Sequence, residues 1–83
     1  MNEYPISEND IAKLVRNALD DYFKDLDGAE PICSVYDMVM NCVEKPLLEM
    51  VLEQVGGNQT RASQMLGMNR NTLRKKMLQY GIE

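Results

Sequence analysis

Hydrophobic positions recur along this chain in three rhythms, and each predicts a different kind of helix. Over residues 7–26, Ile11, Leu14, Val15, Ala18, Leu19, Tyr22, Phe23 and Leu26 advance by alternating steps of three and one. That spacing draws a single apolar stripe on an amphipathic helix. Ser7 is placed to cap it, with Asp10 three positions on as an approximate capping box, and Gly28 to stop it. Residues 27–31 read as a loop.

A second helix is expected from near Ser34 to Val55, with Asp37 as the early acid. Its polar positions, Asp37, Asn41, Glu44, Lys45, Glu49 and Glu53, form a narrow strip. Val35, Tyr36, Met38, Val39, Met40, Cys42, Val43, Leu47, Leu48, Met50, Val51, Leu52 and Val55 fill the remainder. A helix apolar around more than half its circumference needs cover on more than one side. A second copy of the chain is the expected cover; a monomer covered by the downstream basic segment is the alternative. Pro46 lacks the N–H that would bond the Cys42 carbonyl, so the helix should bend or break there. A bend is favoured, because the apolar pattern continues in phase through Leu47 and Met50.

Gly56 and Gly57 end that helix, and Asn58 caps a short third one over residues 59–66. Gly67 ends it, Gly67–Met68–Asn69 makes a turn, and Asn69 caps a fourth helix from Arg70 to about Gln79, closed by Gly81. Two short helices joined by a tight glycine turn form a helix-turn-helix. Ala62 and Ser63 are small enough for close approach. Leu66, Met68, Leu73, Met77 and Tyr80 form the inward set, which leaves Asn71, Thr72, Arg74, Lys75 and Gln79 outward or sideways.

The charge distribution sharpens this picture. The 83 residues carry a formal net charge of −4, but unevenly. Residues 1–56 hold four cations and twelve carboxylates; residues 57–83 hold five cations (Arg61, Arg70, Arg74, Lys75 and Lys76) and one carboxylate, Glu83. A basic contact surface on an acidic body is the expected consequence. The N-terminal end of a recognition helix enters the major groove. There Arg70 can donate two hydrogen bonds to guanine, and Asn69 can pair with a base edge. Asn58 and Thr60 stand at a helix start, where free N–H groups favour phosphate. Arg74, Lys75 and Lys76 are the expected phosphate clamps.

Other chemistry is thinly supplied. The sequence has no histidine and two cysteines, too few ligands for a structural zinc site, and no cofactor is expected. On one helix Cys33 and Cys42 would stand roughly 13 Å apart along the axis, too far to bridge; both are expected to be small buried or half-buried hydrophobes. No phosphate-binding glycine loop follows a strand, so an enzyme is not expected. No apolar run approaches bilayer length, and the acidic, polar start is unlike a secretory signal. A soluble cytoplasmic protein without membrane partners is expected, as a single domain.

The stretches "KPLLEMVLEQVGGNQTRASQMLGMNRNTLRKKM" and "RNALDDYFKDLDG" resemble the Fis (factor for inversion stimulation) family of bacterial nucleoid proteins, over nearly the whole chain. "GNQTRA" and "NRNTLRKK" are specific to that family and to the related terminal domains of enhancer-binding activators. The resemblance implies an all-α homodimer with an intertwined core from residues 7–55, and a helix-turn-helix at residues 57–81. Leu14, Leu19, Phe23, Met38, Val39, Val43, Leu47, Met50 and Val51 would form the dimer core. It also implies two reading heads closer than one turn of straight B-DNA, so that the duplex must bend and choice comes largely from deformability. Asn69 and Arg70 would read bases; Asn58, Thr60, Thr72, Arg74, Lys75 and Lys76 would hold the backbone.

Two departures qualify the resemblance. Family members can carry a hairpin arm before the first helix that touches DNA invertases; only a few residues precede Ser7, so invertase stimulation is not expected. Leu78 and Gln79 stand where lysines are common, and Leu78 is an apolar residue on the outward face. The expected function is a homodimeric DNA-bending, nucleoid-associated regulator of transcription, with RNA polymerase an open partner. Two alternatives stand beside it: the detached terminal domain of a larger activator, and a helical dimerisation scaffold that never binds DNA.

Overall fold

A computed structural model describes residues 8–83. Four helices follow in order: α1 (Glu8–Leu26), α2 (Val35–Gln54), α3 (Gln59–Leu66) and α4 (Arg70–Tyr80). There is no strand among the described residues, so the fold is all-α. The capping role expected of Ser7 and any arm before it lie outside the described residues. None of the four helices is long and apolar enough to cross a membrane.

The described residues divide into two compact units, one ending at residue 32 and the other spanning 33–83. In the first, α1 carries the expected stripe. Val15, Leu19, Tyr22 and Leu26 are half-buried, while Ile11, Leu14 and Phe23 are exposed. Tyr22 and Phe23 meet edge to face at 5.4 Å, a favoured aromatic geometry. Past Leu26 the chain turns through positive φ at Asp27 and Gly28.

In the second unit, Ser34 caps α2 by accepting the Asp37 N–H at 3.3 Å. The helix runs unbroken through Pro46, which decides between the two expectations against a break. Leu48, Leu52 and Val55 lie one turn apart on one side of its C-terminal half and are buried. Ala62 from α3 and Leu73 and Met77 from α4 complete the core, with Val51, Leu66, Met68, Tyr80 and Ile82 packed on it. The inward set read from the sequence is observed, with Ile82 as an addition the reading did not include. The downstream segment does cover α2, but on one side only.

The thiols depart from expectation. Both Cys33 and Cys42 are free and exposed. Cys33 precedes α2, whose first residue is Val35, so the two do not share a helix. Cys42 lies about 120° around α2 from the Leu48 side, between the sectors of Glu49 and Glu53. Counting it with the apolar residues overlooked that polar neighbourhood.

Candidate nucleic-acid interface

The α3–α4 pair is held by backbone devices at every end. Asn58 Oδ1 accepts the Arg61 N–H at 3.1 Å, and Asn69 Oδ1 accepts the Asn71 N–H at 2.7 Å. At the C-terminal ends, Gly67 and Gly81 adopt the left-handed conformation with φ of 75° and 68°. The Met68 N–H then reaches back to the Ser63 carbonyl at 3.0 Å, and the Ile82 N–H to the Met77 carbonyl at 2.8 Å. This is the Schellman arrangement, and its hydrophobic follower packs on the core in both cases. A Cβ at Gly67 would meet nothing within 4 Å, so glycine is favoured there by the dihedral alone. The short turn Gly67–Met68–Asn69 thus ends one helix and caps the next.

Packing at the centre is close and satisfied. Ala62 and Ser63 are buried, as expected of small residues at a helix crossing. The Ser63 hydroxyl donates to the Thr60 carbonyl at 2.8 Å, so its burial leaves no polar atom unpaired.

With Leu73, Met77 and Tyr80 taken as the inner line of α4, 100° per residue sets Asn71, Lys75 and Leu78 on the opposite side. Arg74 and Thr72 flank them, and Asn69 and Arg70 stand at the helix start. Asn58, Thr60, Asn69, Arg70, Thr72, Arg74 and Lys75 are all exposed. Arg61, which the sequence reading did not single out, is exposed as well. Leu78 is 83% exposed on this outer face, where its apolar side chain has no explanation in the fold. A shallow hollow lined by Gln59, Arg74, Met77, Leu78, Ile82 and Glu83 brings the start of α3 beside the second half of α4. Of the expected backbone contacts, Arg74 lines that hollow and Thr72 stands in the first turn of α4.

Lys76 stands apart. Its ammonium pairs with Glu44 Oε2 of α2 at 2.9 Å, and both side chains are largely covered. The other Glu44 oxygen accepts the Tyr80 hydroxyl at 2.6 Å, and Asn41 Oδ1 lies 3.1 Å from the same hydroxyl. The Tyr80 and Lys76 hydrogen bonds hold the Glu44 carboxyl below its ordinary value. The same carboxylate, as acceptor, pushes the Tyr80 phenol up to about 12. Sequence reading placed Lys76 with the phosphate contacts and Tyr80 with the apolar set. It missed the cluster because Glu44 lies 32 to 36 positions away, and only the phase of α2 against α4 brings them together. Glu44 is thus a carboxylate from α2 that reaches a segment whose own sequence holds a single carboxylate, Glu83.

Among the described residues, no group of three or more histidine, cysteine, aspartate or glutamate side chains could hold a metal ion. The described side chains thus offer a cationic, amide-rich surface and no cluster of metal-ligating groups.

Comparison with known proteins agrees with this geometry. The sequence model described as "Bacterial regulatory protein, Fis family" matches residues 41–80, which spans the second half of α2 and the whole α3–α4 pair. A protein named as Fis-like and DNA-binding from Neisseria meningitidis serogroup A / serotype 4A is 63% identical over 73 residues, 88% of this chain and 91% of its own length. A similarly named protein from Ralstonia nicotianae is 51% identical, over 93% of this chain and 99% of its own. The DNA-binding protein Fis of Proteus mirabilis is 44% identical, over 93% and 78%.

Proposed function

The chain belongs to the Fis family of bacterial regulatory proteins, and on that premise we propose that it is a homodimeric, sequence-tolerant DNA-binding and DNA-bending protein, a nucleoid-associated regulator of transcription in the cytoplasm. One observation carries the proposal: the exposed side of α3–α4 holds Arg61, Arg70, Arg74 and Lys75 and no carboxylate before Glu83. Such a surface attracts a polyanion and repels none of it.

The roles divide by position. Arg70, in the first turn of α4, donates to a guanine edge. Asn69 reads beside it with its amide N–H group, because its oxygen already caps the helix. With its oxygen's position fixed by the cap, Asn69 can turn its amide toward a base only as the helix start allows, and its contribution to sequence choice is correspondingly modest. Asn58, Thr60, Thr72, Arg74 and Lys75 hold the backbone. Residues 1–56, with twelve carboxylates to four cations, repel phosphate on balance, which leaves the α3–α4 pair as the contact surface.

The second copy is supported by α2. Tyr36, Met40, Val43, Leu47 and Met50 advance by steps of four and three and are all exposed. A seam repeating every 3.5 residues suits a partner helix. Two reading heads carried by one dimer then engage successive major grooves of a bent duplex.

The test is a gel-shift series with circularly permuted duplex fragments, which reports affinity and curvature together. Position-dependent mobility is expected, with affinity falling about 10³–10⁵-fold between about 50 and 200 mM salt for 6–10 phosphate contacts. A flat salt response would overturn DNA binding and leave a dimerisation scaffold. Salt-sensitive binding without position dependence would overturn bending alone.

A further inference from the structure

We infer that Glu44 is a specificity-determining residue of the α2–α4 unit: it withdraws Lys76 from the DNA-facing surface and fixes the direction of α4, so that sequence-blind attraction does not swamp base reading. The inference rests on the DNA-binding function proposed above.

Three consecutive cations, Arg74, Lys75 and Lys76, read as one clamp in sequence, but helix geometry separates them. Lys75 lies across α4 from the inner Leu73–Met77–Tyr80 line, with Arg74 on one flank. Lys76 lies on the other flank, one turn from Thr72 and from Tyr80. That flank faces α2, where Glu44 accepts from Lys76 with one oxygen and from Tyr80 with the other. The Tyr80 hydroxyl has one proton, and the shorter contact, 2.6 Å to Glu44, takes it. Both carboxylate oxygens are thus engaged by the second half of α4. Tyr80 ends that helix, and the contacts tie its final turn to α2.

The two effects of Glu44 act in the same direction. A lysine released from its partner is a point charge on a flexible stem, able to find a phosphate beside any base sequence. Loss of the tie at Tyr80 also lets α4 tilt, which spoils the aim of Arg70 at the far end. The first strengthens binding to all DNA, and the second weakens binding to the preferred site. The lowered Glu44 carboxyl and the raised Tyr80 phenol agree with a carboxylate held charged between two donors.

The experiment compares the wild-type chain with Lys75→Gln, Lys76→Gln and Glu44→Gln. Each is titrated against a random-sequence duplex and a duplex selected by the wild type from a random library, across a salt series. Lys75→Gln should make the log–log salt slope shallower by about 0.9 for each phosphate left without its cation, while Lys76→Gln leaves it unchanged. Glu44→Gln should steepen the slope, tighten binding to random duplex and cut the selected-to-random ratio about tenfold. A shallower slope in Lys76→Gln, equal to that of Lys75→Gln, overturns the inference while DNA binding stands. So does a Glu44→Gln protein that binds both duplexes more weakly in equal proportion. If Glu44→Gln does not fold, the contrast of Lys76 with Lys75 decides alone. A wild-type chain that binds neither duplex sinks the proposed function itself.

Discussion

The two sides of α2 are made of the same residue types and end in opposite states. Leu48, Leu52 and Val55 are buried under α3 and α4, whereas Leu47, one position from Leu48, and Val43 and Met50, each about one turn from Leu47, are 40% exposed or more. Composition does not separate Leu47 from Leu48; a rotation of 100° does. The comparison teaches that an apolar helix can hold two interfaces, one completed within the chain and one left open. The open side repeats every 3.5 residues, as a seam between helices does.

The sharpest way to break this comparison is to charge the open side. Leu47→Glu should leave the fold of residues 33–83 intact, since the side chain is already 47% exposed. If a second copy covers it, the change buries an unpaired carboxylate from each protomer, at several kcal/mol apiece. Dimerisation should then weaken by more than about 10³-fold, with DNA affinity falling alongside. Sedimentation equilibrium is the measurement; an unchanged association constant would mean that the open side meets something other than a second copy.

The covered side is broken differently. Leu48→Ala removes a side chain with no exposed surface and should cost about 2–5 kcal/mol in urea unfolding. At Leu47 the same truncation in a chain held monomeric should cost far less, because little buried surface disappears. Near-equal costs would show that the two sides do not differ as described.

Much of this contrast was legible in the sequence and part was not. The boundaries of α3, the caps at Asn58 and Asn69 and the glycine ends follow from local chemistry, in which side chain and backbone partner lie within five residues of each other. The core set of Leu73, Met77 and Tyr80 follows from helical periodicity. Periodicity also announced that α2 had too much apolar surface for one partner, and only the family resemblance assigned residues to the dimer side. The family resemblance set Leu47 and Val51 in the dimer core and left out Leu48 and Leu52; Val51 nonetheless packs on the core of its own chain, because its place depends on where α3 and α4 dock. The Glu44–Lys76–Tyr80 cluster was hidden for the same reason, whereas the exposure of Cys42 was legible in its helical phase between Glu49 and Glu53.

A smaller effect is expected where the cover is pinned. Asn58→Ala removes the cap of α3 and should cost about 1 kcal/mol of stability. Asn58→Asp keeps an acceptor at the cap and should preserve stability, yet weaken DNA binding by setting a carboxylate beside phosphate. Thermal melts and duplex titration of the two variants separate the cap from the contact. Equal DNA affinities in wild type and Asn58→Asp would remove Asn58 from the backbone-holding set.

The slightest effect is a pH dependence of the seal between α2 and α4. Glu44 has its carboxyl lowered from 4.5 in the fold. Its contribution is complete above 4.5 and fades as pH falls through the lowered folded value. Tyr80 works in the opposite sense: its phenol rises from 10.0 to about 12, so its contribution is complete below 10 and fades as pH climbs toward 12. Between those limits the seal should not vary. Urea midpoints measured against pH should therefore fall more steeply at both ends for wild type than for Glu44→Gln, which lacks the shared acceptor charge. Tyrosinate absorbance gives an independent reading, since Tyr80 should ionise near 12 and Glu44→Gln should lower that value. If Tyr80 instead titrates near 10 in the folded wild type, its hydroxyl is not held by Glu44, and the covered side of α2 is sealed by apolar contact alone.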